Sequence, residues 1–229
     1  MTRGWFVTGT DTGVGKTLVS VALTRALVAQ RQRCAVMKPV AAGGVLTPQG
    51  LRNEDALELL AASNVAATYE RVNPWMLATA ASPHLAARKD GVSIDLDRIM
   101  VAHAALAAHA DVLVVEGAGG WYAPISATKT MADIARKLAL PVVLVVGLRL
   151  GCLNHALLTR AAIRDAALPF AGWIANKLDA EMPYAQANIE TLSERFGADP
   201  LAVVPAMTAL PATTVPEWAA TLAKNLLSA

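Results

Sequence analysis

Short apolar runs bounded by turn residues alternate along this chain with longer stretches in which apolar positions have helical spacing. The apolar runs predict strands at Trp5–Thr8, Cys34–Met37, Asp111–Glu116, Val142–Val146 and Phe170–Ala175, with a weaker one near Leu201–Val204. The periodic stretches predict helices at about 17–30, 52–62, 95–109, 131–139, 153–167, 183–196 and 215–227. This alternation is typical of a doubly wound α/β fold, a mostly parallel sheet with helices on both faces.

The two middle runs, Val112–Val115 and Val142–Val146, are apolar without alternation, which indicates strands buried on both faces. Ligands of such sheets bind beyond the carboxyl ends of the strands, so the polar residues there form the candidate site. We expect Ala41–Gly50 and Val72–Pro83 to be irregular loops outside the strands. With no internal repeat or low-complexity linker, residues 1–229 are expected to form a single domain.

The first apolar run leads into a glycine-rich loop, Gly9–Thr17, that ends in Gly-Lys-Thr. Small residues let consecutive backbone N–H groups turn toward phosphate oxygens, and the following helix directs its positive N-terminal end at them. Lys16 can then reach the β- and γ-phosphates, and the Thr17 hydroxyl can bind Mg²⁺. Gly9 lies one residue further from Gly15 than the strict pattern requires. The flanking strand and helix nevertheless favour a P-loop NTPase over a chance glycine-rich turn.

Other predicted strands end in polar residues that have both a functional and a structural explanation. Lys38 leaves the sheet just before a proline, either toward a ligand or as a solvated surface lysine. Glu116 stands where a second ligand of nucleotide-bound Mg²⁺ is usual, or caps a turn. Asp55 could be a third acid of the site, but it lies in the first turn of a helix, where capping explains it fully. Asn176 can read the edge of a base or complete a plain turn.

Composition argues against several classes of function. A net charge of +2 without a basic face gives no support to nucleic-acid binding. The longest uncharged apolar stretch, Leu138–Leu148, is too short to span a membrane, and no export signal is expected. Cys34 and Cys152 form no CxxC pair and fit reduced thiols in a cytoplasmic protein. No histidine has a partner at metal-ligand spacing, so a zinc site is not expected.

Taken together, these residues resemble the dethiobiotin synthetases, ATP-dependent P-loop enzymes. The most specific features are the phosphate loop with its extra residue and the Gly-Cys-x-Asn-His segment, whereas the C-terminal part matches weakly. The matching pieces are Val7–Thr12, Val14–Thr17, Lys38–Ala41, Leu51–Asn53, Asp55–Leu57, Ser82–His84, Val115–Trp121, Leu150–Cys152, Asn154–Ala156, Gly172–Trp173 and Ala175–Asn176.

The resemblance implies a reaction and a set of residues. 7,8-Diaminononanoate would react with CO₂ to a carbamate, ATP would phosphorylate it, and the neighbouring amine would close a cyclic urea with loss of phosphate.

The implied catalytic residues are Lys38, Lys16 and Thr12, and the implied Mg²⁺ ligands are Thr17, Asp55 and Glu116. The implied ATP-binding residues are Gly13, Val14, Gly15, Lys16, Thr17, Leu18, Asp55, Glu116, Gly117, Ala118, Gly119, Asn176, Lys177, Pro205, Ala206 and Met207, with Asn176 at the adenine edge. The implied diamine-binding residues are Thr12, Lys38, Ala42, Gly151, Cys152, Leu153 and Asn154, the last four from the partner subunit of a homodimer, whose helix N-terminus would grip the distant carboxylate.

Three positions depart from the family pattern. Ala42 stands where a serine that touches the diamine is expected, so one substrate hydrogen bond is missing or is supplied by backbone. Gly13 and Ala212 stand at or near positions of two glutamates by the nucleotide, which leaves nucleotide preference and affinity open.

Other functions share parts of this pattern. Septum-positioning and plasmid-partition ATPases have the same sheet, but they carry a signature lysine where Asp11 stands and a basic amphipathic C-terminal helix. Cobyrinate-type amide synthetases carry a glutaminase domain for which 229 residues leave no room. A nucleotide-binding regulator would need neither Lys38 nor the segment Gly151–Asn154.

Overall fold

Helices connect the successive strands of the main sheet in the computed structural model, which describes residues 2–211 and 214–228. In chain order the elements are β1 (Arg3–Gly9), α1 (Lys16–Ala29), β2 (Cys34–Met37), β3 (Val40–Ala42), β4 (Val45–Thr47), β5 (Gly50–Arg52), α2 (Glu54–Ala62), α3 (Tyr69–Val72), β6 (Trp75–Leu77), α4 (Pro83–Lys89), α5 (Leu96–Ala107), β7 (Val112–Glu116), α6 (Met131–Leu138), β8 (Val142–Leu148), α7 (Cys152–Asp165), β9 (Phe170–Lys177), α8 (Ala185–Phe196), β10 (Ala202–Val204) and α9 (Glu217–Ser228). One parallel sheet has the strand order β10-β9-β8-β1-β7-β2. The predicted doubly wound class and its six strands are confirmed.

Side chains of the central strands alternate between two hydrophobic cores. On β1, Trp5 and Val7 face the core that α1 and α9 cover, whereas Phe6 faces the core covered by α5, α6, α7 and α8. The other central strands repeat this alternation, with Val143 and Leu144 of β8 on opposite faces. Full burial of one large apolar side chain contributes about 1.5–3 kcal/mol, so both faces of the sheet are firmly held.

The strand order reverses beside β1, and this reversal places the candidate site. β1 lies between β7 and β8. From β1 the chain runs to β2, at the edge beyond β7, whereas the later strands β9 and β10 extend the sheet beyond β8. A crevice at the carboxyl ends of the strands is the usual ligand site at such a point. This edge carries the phosphate loop after β1, Lys38 after β2, and Glu116 and Asn176 near the ends of β7 and β9.

Two small sheets lie in segments that the sequence predicts to be irregular. β3 pairs in parallel with β6, and β4 pairs with β5 in an antiparallel hairpin. The prediction that strands are absent from 41–50 and 72–83 is therefore wrong, because strands of three residues are too short to produce a recognisable period. The β3–β6 pair brings Ala42 beside the residues that follow Leu77, since the Gly43 N–H donates to the Leu77 carbonyl (3.0 Å).

The predicted helices are also present. Their observed ends differ from the predicted ones by no more than two residues, which is the usual uncertainty of helix boundaries. The short helices α3 and α4 are additional. Over the described residues, no helix combines the length and apolarity needed to cross a bilayer.

Candidate active site

The phosphate loop between β1 and α1 is held in shape by a residue of β9, two strands away from β1 in the sheet. The Asn176 side-chain amide, on β9, donates to the Val14 carbonyl (2.8 Å). Gly15, the N-cap of α1, has φ of +90°, and a Cβ there would lie only 2.2 Å from Asn176 Nδ2. Glycine is required at position 15 for two reasons, because its backbone is left-handed and because the Asn176 amide occupies the space of a side chain.

Lys16 begins α1 and directs its amine back over the loop. Its Nζ donates to the Asp11 carbonyl (2.9 Å), and its side chain is buried. Burial, together with the positive charge of the nearby Lys38 ammonium, lowers the pKa of Lys16 to about 8. An anionic ligand in the loop would supply the negative charge that this buried amine needs.

Lys38 joins two carboxylates inside the protein. Its Nζ lies 2.8 Å from Asp55 Oδ2 and 2.5 Å from Glu116 Oε1. The Lys38 backbone is fixed by its N–H bond to the Val72 carbonyl and by the Asn73 amide, which donates to the Lys38 carbonyl. Because Lys38 is only 4% exposed, the surface-lysine interpretation is excluded.

Electrostatics keep this cluster charged. Burial acts to lower the pKa of Lys38, but Glu116 and Asp55 outweigh it, so the pKa lies above the usual lysine value. Burial likewise acts to raise the pKa of Asp55, and the Lys38 ammonium reverses this effect, so that the pKa lies below its usual value. The Lys38 ammonium and the Asp55 carboxylate therefore both persist at neutral pH.

The Asp55 carboxylate is not needed to cap α2, because Asn53 fills that role. The Asn53 side chain accepts a hydrogen bond from the Ala56 N–H at the start of α2 (3.2 Å). Asp55 meanwhile turns toward Lys38 and contributes to the cavity wall. Capping alone therefore does not explain Asp55.

Three oxygen-bearing side chains of this cluster suit a small hard cation. The Thr17 hydroxyl donates to Glu116 Oε1 (2.8 Å), and Asp55 contacts the same Lys38 amine that pairs with Glu116. Glu116 Oε2 is buried and has no hydrogen-bond partner among the residues that the structure describes. A buried carboxylate oxygen in need of a partner, beside a hydroxyl and a second carboxylate, fits the donor set of a nucleotide-bound Mg²⁺.

A cavity of about 750 Å³ connects these groups. It contains eleven of the predicted site residues: Thr12, Gly13, Gly15, Lys16, Thr17, Lys38, Ala42, Asp55, Glu116, Ala118 and Gly119. Its remaining wall is formed by Asp11, Ala41, Asn53, Ala81, Ser82, Pro83, Gly120 and Ala123. The cavity thus joins a charged part, where the two lysines meet the carboxylates, to a part lined by alanine, glycine and proline.

Comparisons with known proteins identify the family. A model of the AAA domain family matches residues 3–214. ATP-dependent dethiobiotin synthetase BioD of Xanthomonas oryzae pv. oryzae (strain PXO99A) is 54% identical over 192 residues, which cover 84% of this chain and 86% of that protein. The enzyme of the same name from Cellvibrio japonicus (strain Ueda107) is 49% identical over 203 residues, 89% of each chain. This chain belongs to the dethiobiotin synthetase family. It is therefore an ATP-dependent ligase, as its resemblance to the family predicts.

Solved structures of low sequence identity support the fold. The MinD cell division protein of Aquifex aeolicus has a TM-score of 0.62 at 14% identity and covers 99% of this chain and 98% of its own. The septum site-determining protein MinD complexed with Mg-ADP from Pyrococcus horikoshii OT3 has a TM-score of 0.58 at 17% identity, with 99% and 96% covered. These likenesses show the P-loop NTPase fold alone. The septum-positioning ATPases thus share the sheet, whereas the close sequence relatives are dethiobiotin synthetases.

Some residues that the family resemblance assigns to ATP do not line the main cavity. Among the described residues, Val14, Leu18, Gly117, Asn176, Lys177, Pro205, Ala206 and Met207 lie outside its wall. Leu18 instead borders a second cavity of about 520 Å³, which it shares with Thr17, Asp55 and the segment Thr208–Leu210. Pro205–Met207 follow β10, whose last residue pairs with Asn176. Ala212 lies outside the described residues.

The segment Gly151–Asn154 also lies away from this chain's cavity. Gly151 is the N-cap of α7 with a left-handed backbone, and Cys152 is buried beneath the helix start. Gly151 and Asn154 are exposed, and the preceding Leu150 is fully exposed. Within one chain, the structure therefore does not bring this segment to Lys38.

Sequence reasoning missed an ion pair that links two of these segments. Asp11 of the phosphate loop pairs with Arg149, which follows β8 two residues before the N-cap of α7. The Thr12 N–H and the Arg149 guanidinium together hold the pKa of Asp11 below its usual value. The residues are 138 positions apart, so no local pattern in the sequence could reveal their contact. Ser82 and Pro83 fall in a motif of the family, but the motif alone gave them no role.

Proposed function

We propose that this protein converts 7,8-diaminononanoate, CO₂ and ATP into dethiobiotin, ADP and phosphate, as a Mg²⁺-dependent homodimer in biotin biosynthesis. The observation that carries the proposal is the convergence of Lys16 and Lys38 on one cavity with Thr17, Asp55 and Glu116. Free, buried Cys34 and Cys152 support a reducing cytoplasmic location.

In the first step, this chain's residues bind two negatively charged reactants side by side. The phosphate loop would hold the ATP phosphates through its backbone N–H groups and Lys16. Lys38 would bind a carbamate oxygen and, with Lys16, offset the charge that accumulates as the carbamate attacks the γ-phosphate. Thr12 lines the same cavity and would orient the carbamate. Thr17, Asp55 and Glu116 would hold Mg²⁺, which supplies positive charge at the β- and γ-phosphates when bound.

In the second step, the free amine attacks the carbonyl carbon of the carbamic–phosphoric anhydride. A nitrogen–carbon bond forms, the bond from that carbon to the phosphate oxygen breaks, and the attacking nitrogen loses a proton. The main contribution of the protein is position, because holding an amine close to an activated carbonyl makes ring closure effectively unimolecular. Small apolar side chains such as Ala42 and Ala123 suit the alkyl carbons of the diamine.

A homodimer would explain why the segment Gly151–Asn154 lies outside this chain's cavity. The diamine ends in a carboxylate that is several carbons away from its amines, and the positive N-terminal end of α7 suits that anion. The fully exposed Leu150 directly precedes this segment, and the exposed Leu158 lies further along α7. An interface would cover such apolar side chains. We therefore assign the carboxylate to the α7 N-terminus of the partner subunit.

The decisive assay measures ADP formation from Mg-ATP and bicarbonate with and without the diamine, together with mass detection of the product. Strict dependence on the diamine and appearance of dethiobiotin are expected, and the Lys38→Ala variant should be inactive. EDTA should stop turnover, and added Mg²⁺ should restore it. ADP release that is indifferent to the diamine would overturn the proposal in favour of a switch-type ATPase.

Subunit mixing tests whether the site is shared. Lys38→Ala and a variant of the α7 start, Asn154→Ala, should each lose most activity, the latter through a higher KM for the diamine. Exchange of subunits between them should restore about one quarter of the wild-type rate, because half the dimers become mixed and each mixed dimer carries one intact site. A mixture that stays as inactive as its components would contradict a site shared between subunits.

A further inference from the structure

Two buried polar side chains contact the backbone of the cavity wall without lining the cavity themselves. They belong to Tyr69, the first residue of α3, and to Asn73, which follows this helix. Asn73 Nδ2 donates to the Lys38 carbonyl (2.6 Å), and the Tyr69 hydroxyl accepts from the Asn53 N–H (2.7 Å). The Tyr69 hydroxyl in turn donates to Asn73 Oδ1 (3.1 Å). These three hydrogen bonds, the Tyr69–Asn73 bridge, connect Lys38 to Asn53.

Each hydrogen bond of the bridge can run in only one direction. A carbonyl can only accept, so the Asn73 NH₂ must face Lys38 and the Asn73 side-chain oxygen must face Tyr69. The single proton of the Tyr69 hydroxyl is then donated to Asn73, and the hydroxyl oxygen accepts the Asn53 N–H. Because no other arrangement satisfies all four groups, the bridge holds one separation between the end of β2 and the start of α2.

The two ends of the bridge carry the residues that meet in the ion pair. Lys38 is itself one end, and Asp55 lies two positions after the other end, in the first turn of α2. The Asn53 side chain also caps α2, so a shift of the Asn53 backbone would move the start of the helix and Asp55 with it. The bridge therefore joins Lys38 and Asp55 inside the protein, whereas the ion pair joins them at the cavity.

We infer that Tyr69 and Asn73 are positioning residues that hold Lys38 at a fixed separation from Asp55 during turnover. The inference rests on the proposed function, in which Lys38 binds a carbamate and Asp55 holds Mg²⁺. Both charged groups then have new partners, so their ion pair cannot maintain the separation. The bridge ends on backbone groups and contains no charged group, so the arrival of ligands does not break it.

Tyr69→Phe removes one hydroxyl of the bridge and keeps the ring. The Arg52 guanidinium lies over that ring, 4.2 Å from its centre, and this contact does not need the hydroxyl. We expect kcat to fall about tenfold to a hundredfold, because Lys38 loses its fixed position and small displacements of a reacting group are costly. The affinity for a non-hydrolysable ATP analogue, measured by calorimetry without Mg²⁺, should stay within about twofold, since the phosphate loop is not part of the bridge.

Ser63→Ala is the matched control. The Ser63 hydroxyl donates to the Cys34 carbonyl (2.8 Å), so it ties the end of α2 to the start of β2. It joins the same two elements as the bridge, but at their opposite ends from Lys38 and Asp55. Both variants should have a lower melting temperature, whereas only Tyr69→Phe should have a lower kcat. An unchanged kcat in Tyr69→Phe, or equal losses of kcat in both variants, would overturn the inference.

A double variant separates positioning from a general loss of structure. Tyr69→Phe and Asn73→Ala interrupt the same bridge, so together they should lower kcat no further than the worse single variant does. Losses that multiply would show that the two side chains act independently, which would also overturn the inference. ADP formation by the wild type without the diamine would instead overturn the proposed function, and the inference with it.

Discussion

Lys38 and Glu116 form an ion pair in the interior, with Nζ 2.5 Å from Oε1 and the carboxylate wholly buried. The second carboxylate, Asp55, is 43% exposed at its side chain and approaches the same amine from the cavity. A buried carboxylate without a counter-charge is very costly, so Lys38 is needed to maintain the site before any ligand arrives. The same amine is the one we propose to bind the carbamate.

Loss of Lys38 should therefore destabilise the fold as well as abolish turnover. We expect Lys38→Met to lower the free energy of unfolding by about 3–5 kcal/mol, because the Glu116 charge is left buried and unpaired. Urea denaturation followed by circular dichroism measures this. In the double variant with Glu116→Gln most of that loss should be recovered. If the two single losses simply add, the pair is not coupled as described.

The phosphate loop offers a matched pair of glycines. Both have a positive φ, +72° at Gly13 and +90° at Gly15, but a Cβ on Gly13 would meet nothing within 4 Å whereas one on Gly15 would clash with the Asn176 amide. Gly15→Ala should therefore weaken ATP binding more than about a hundredfold, and Gly13→Ala only about fivefold through backbone strain. Calorimetry with a non-hydrolysable ATP analogue measures both. Equal losses would show that the Asn176 contact is unimportant.

The pair of Asp11 and Arg149 should matter for ligand binding more than for stability. Both side chains are about half exposed, so Arg149→Gln should change the free energy of unfolding by less than about 1 kcal/mol. The pair nevertheless fixes the loop whose Asp11 carbonyl accepts from Lys16, so we expect the KM for ATP to rise about threefold to tenfold. Arg164→Gln removes the exposed pair with Asp165 in the last turn of α7 and serves as the control. A KM for ATP equal to that of the control would contradict the prediction.

Cys34 should resist alkylation in the folded protein. Burial raises its pKa to about 12 from 9.0, so at a given pH below both values folding reduces its thiolate about a thousandfold. Iodoacetamide at pH 8 should therefore leave Cys34 unlabelled in buffer and label it in urea, as read by mass spectrometry of the peptide. The raised pKa also means that this thiol favours the folded state below pH 9, and that the contribution disappears as the pH rises toward 12. Rapid stoichiometric labelling without denaturant would show that the site is open.

The sequence predicts the parts of this molecule that leave a local pattern. The buried central strands produce unbroken apolar runs. The glycine-rich loop that ends in Gly15, Lys16 and Thr17 is typical of a phosphate-binding loop. Lys38, Asp55 and Glu116 could be recognised as candidates from their places at strand and helix ends. Their mutual contact could not, because it depends on how β2, α2 and β7 come together in space.

Other features leave no such pattern. β3 and β6 are too short to have a period, yet their pairing builds the wall that contains Ser82. The hydrogen bond from Asn176 to the Val14 carbonyl could not be predicted for another reason. A side-chain amide at a strand end can equally well bind a base, complete a turn or donate to a distant carbonyl. Long-range hydrogen bonds and ion pairs of this kind are visible only once the fold is known.

The hydrogen bond from Asn176 to Val14 also sets an order of events during synthesis. The phosphate loop leaves the ribosome early, but the residue that holds it follows 162 positions later. Until β9 joins the sheet, a growing chain carries Gly15 and Lys16 without the support that shapes the loop around a phosphate. A chain that stalls before β9 therefore carries the glycine-rich motif without the Asn176 amide that holds its backbone.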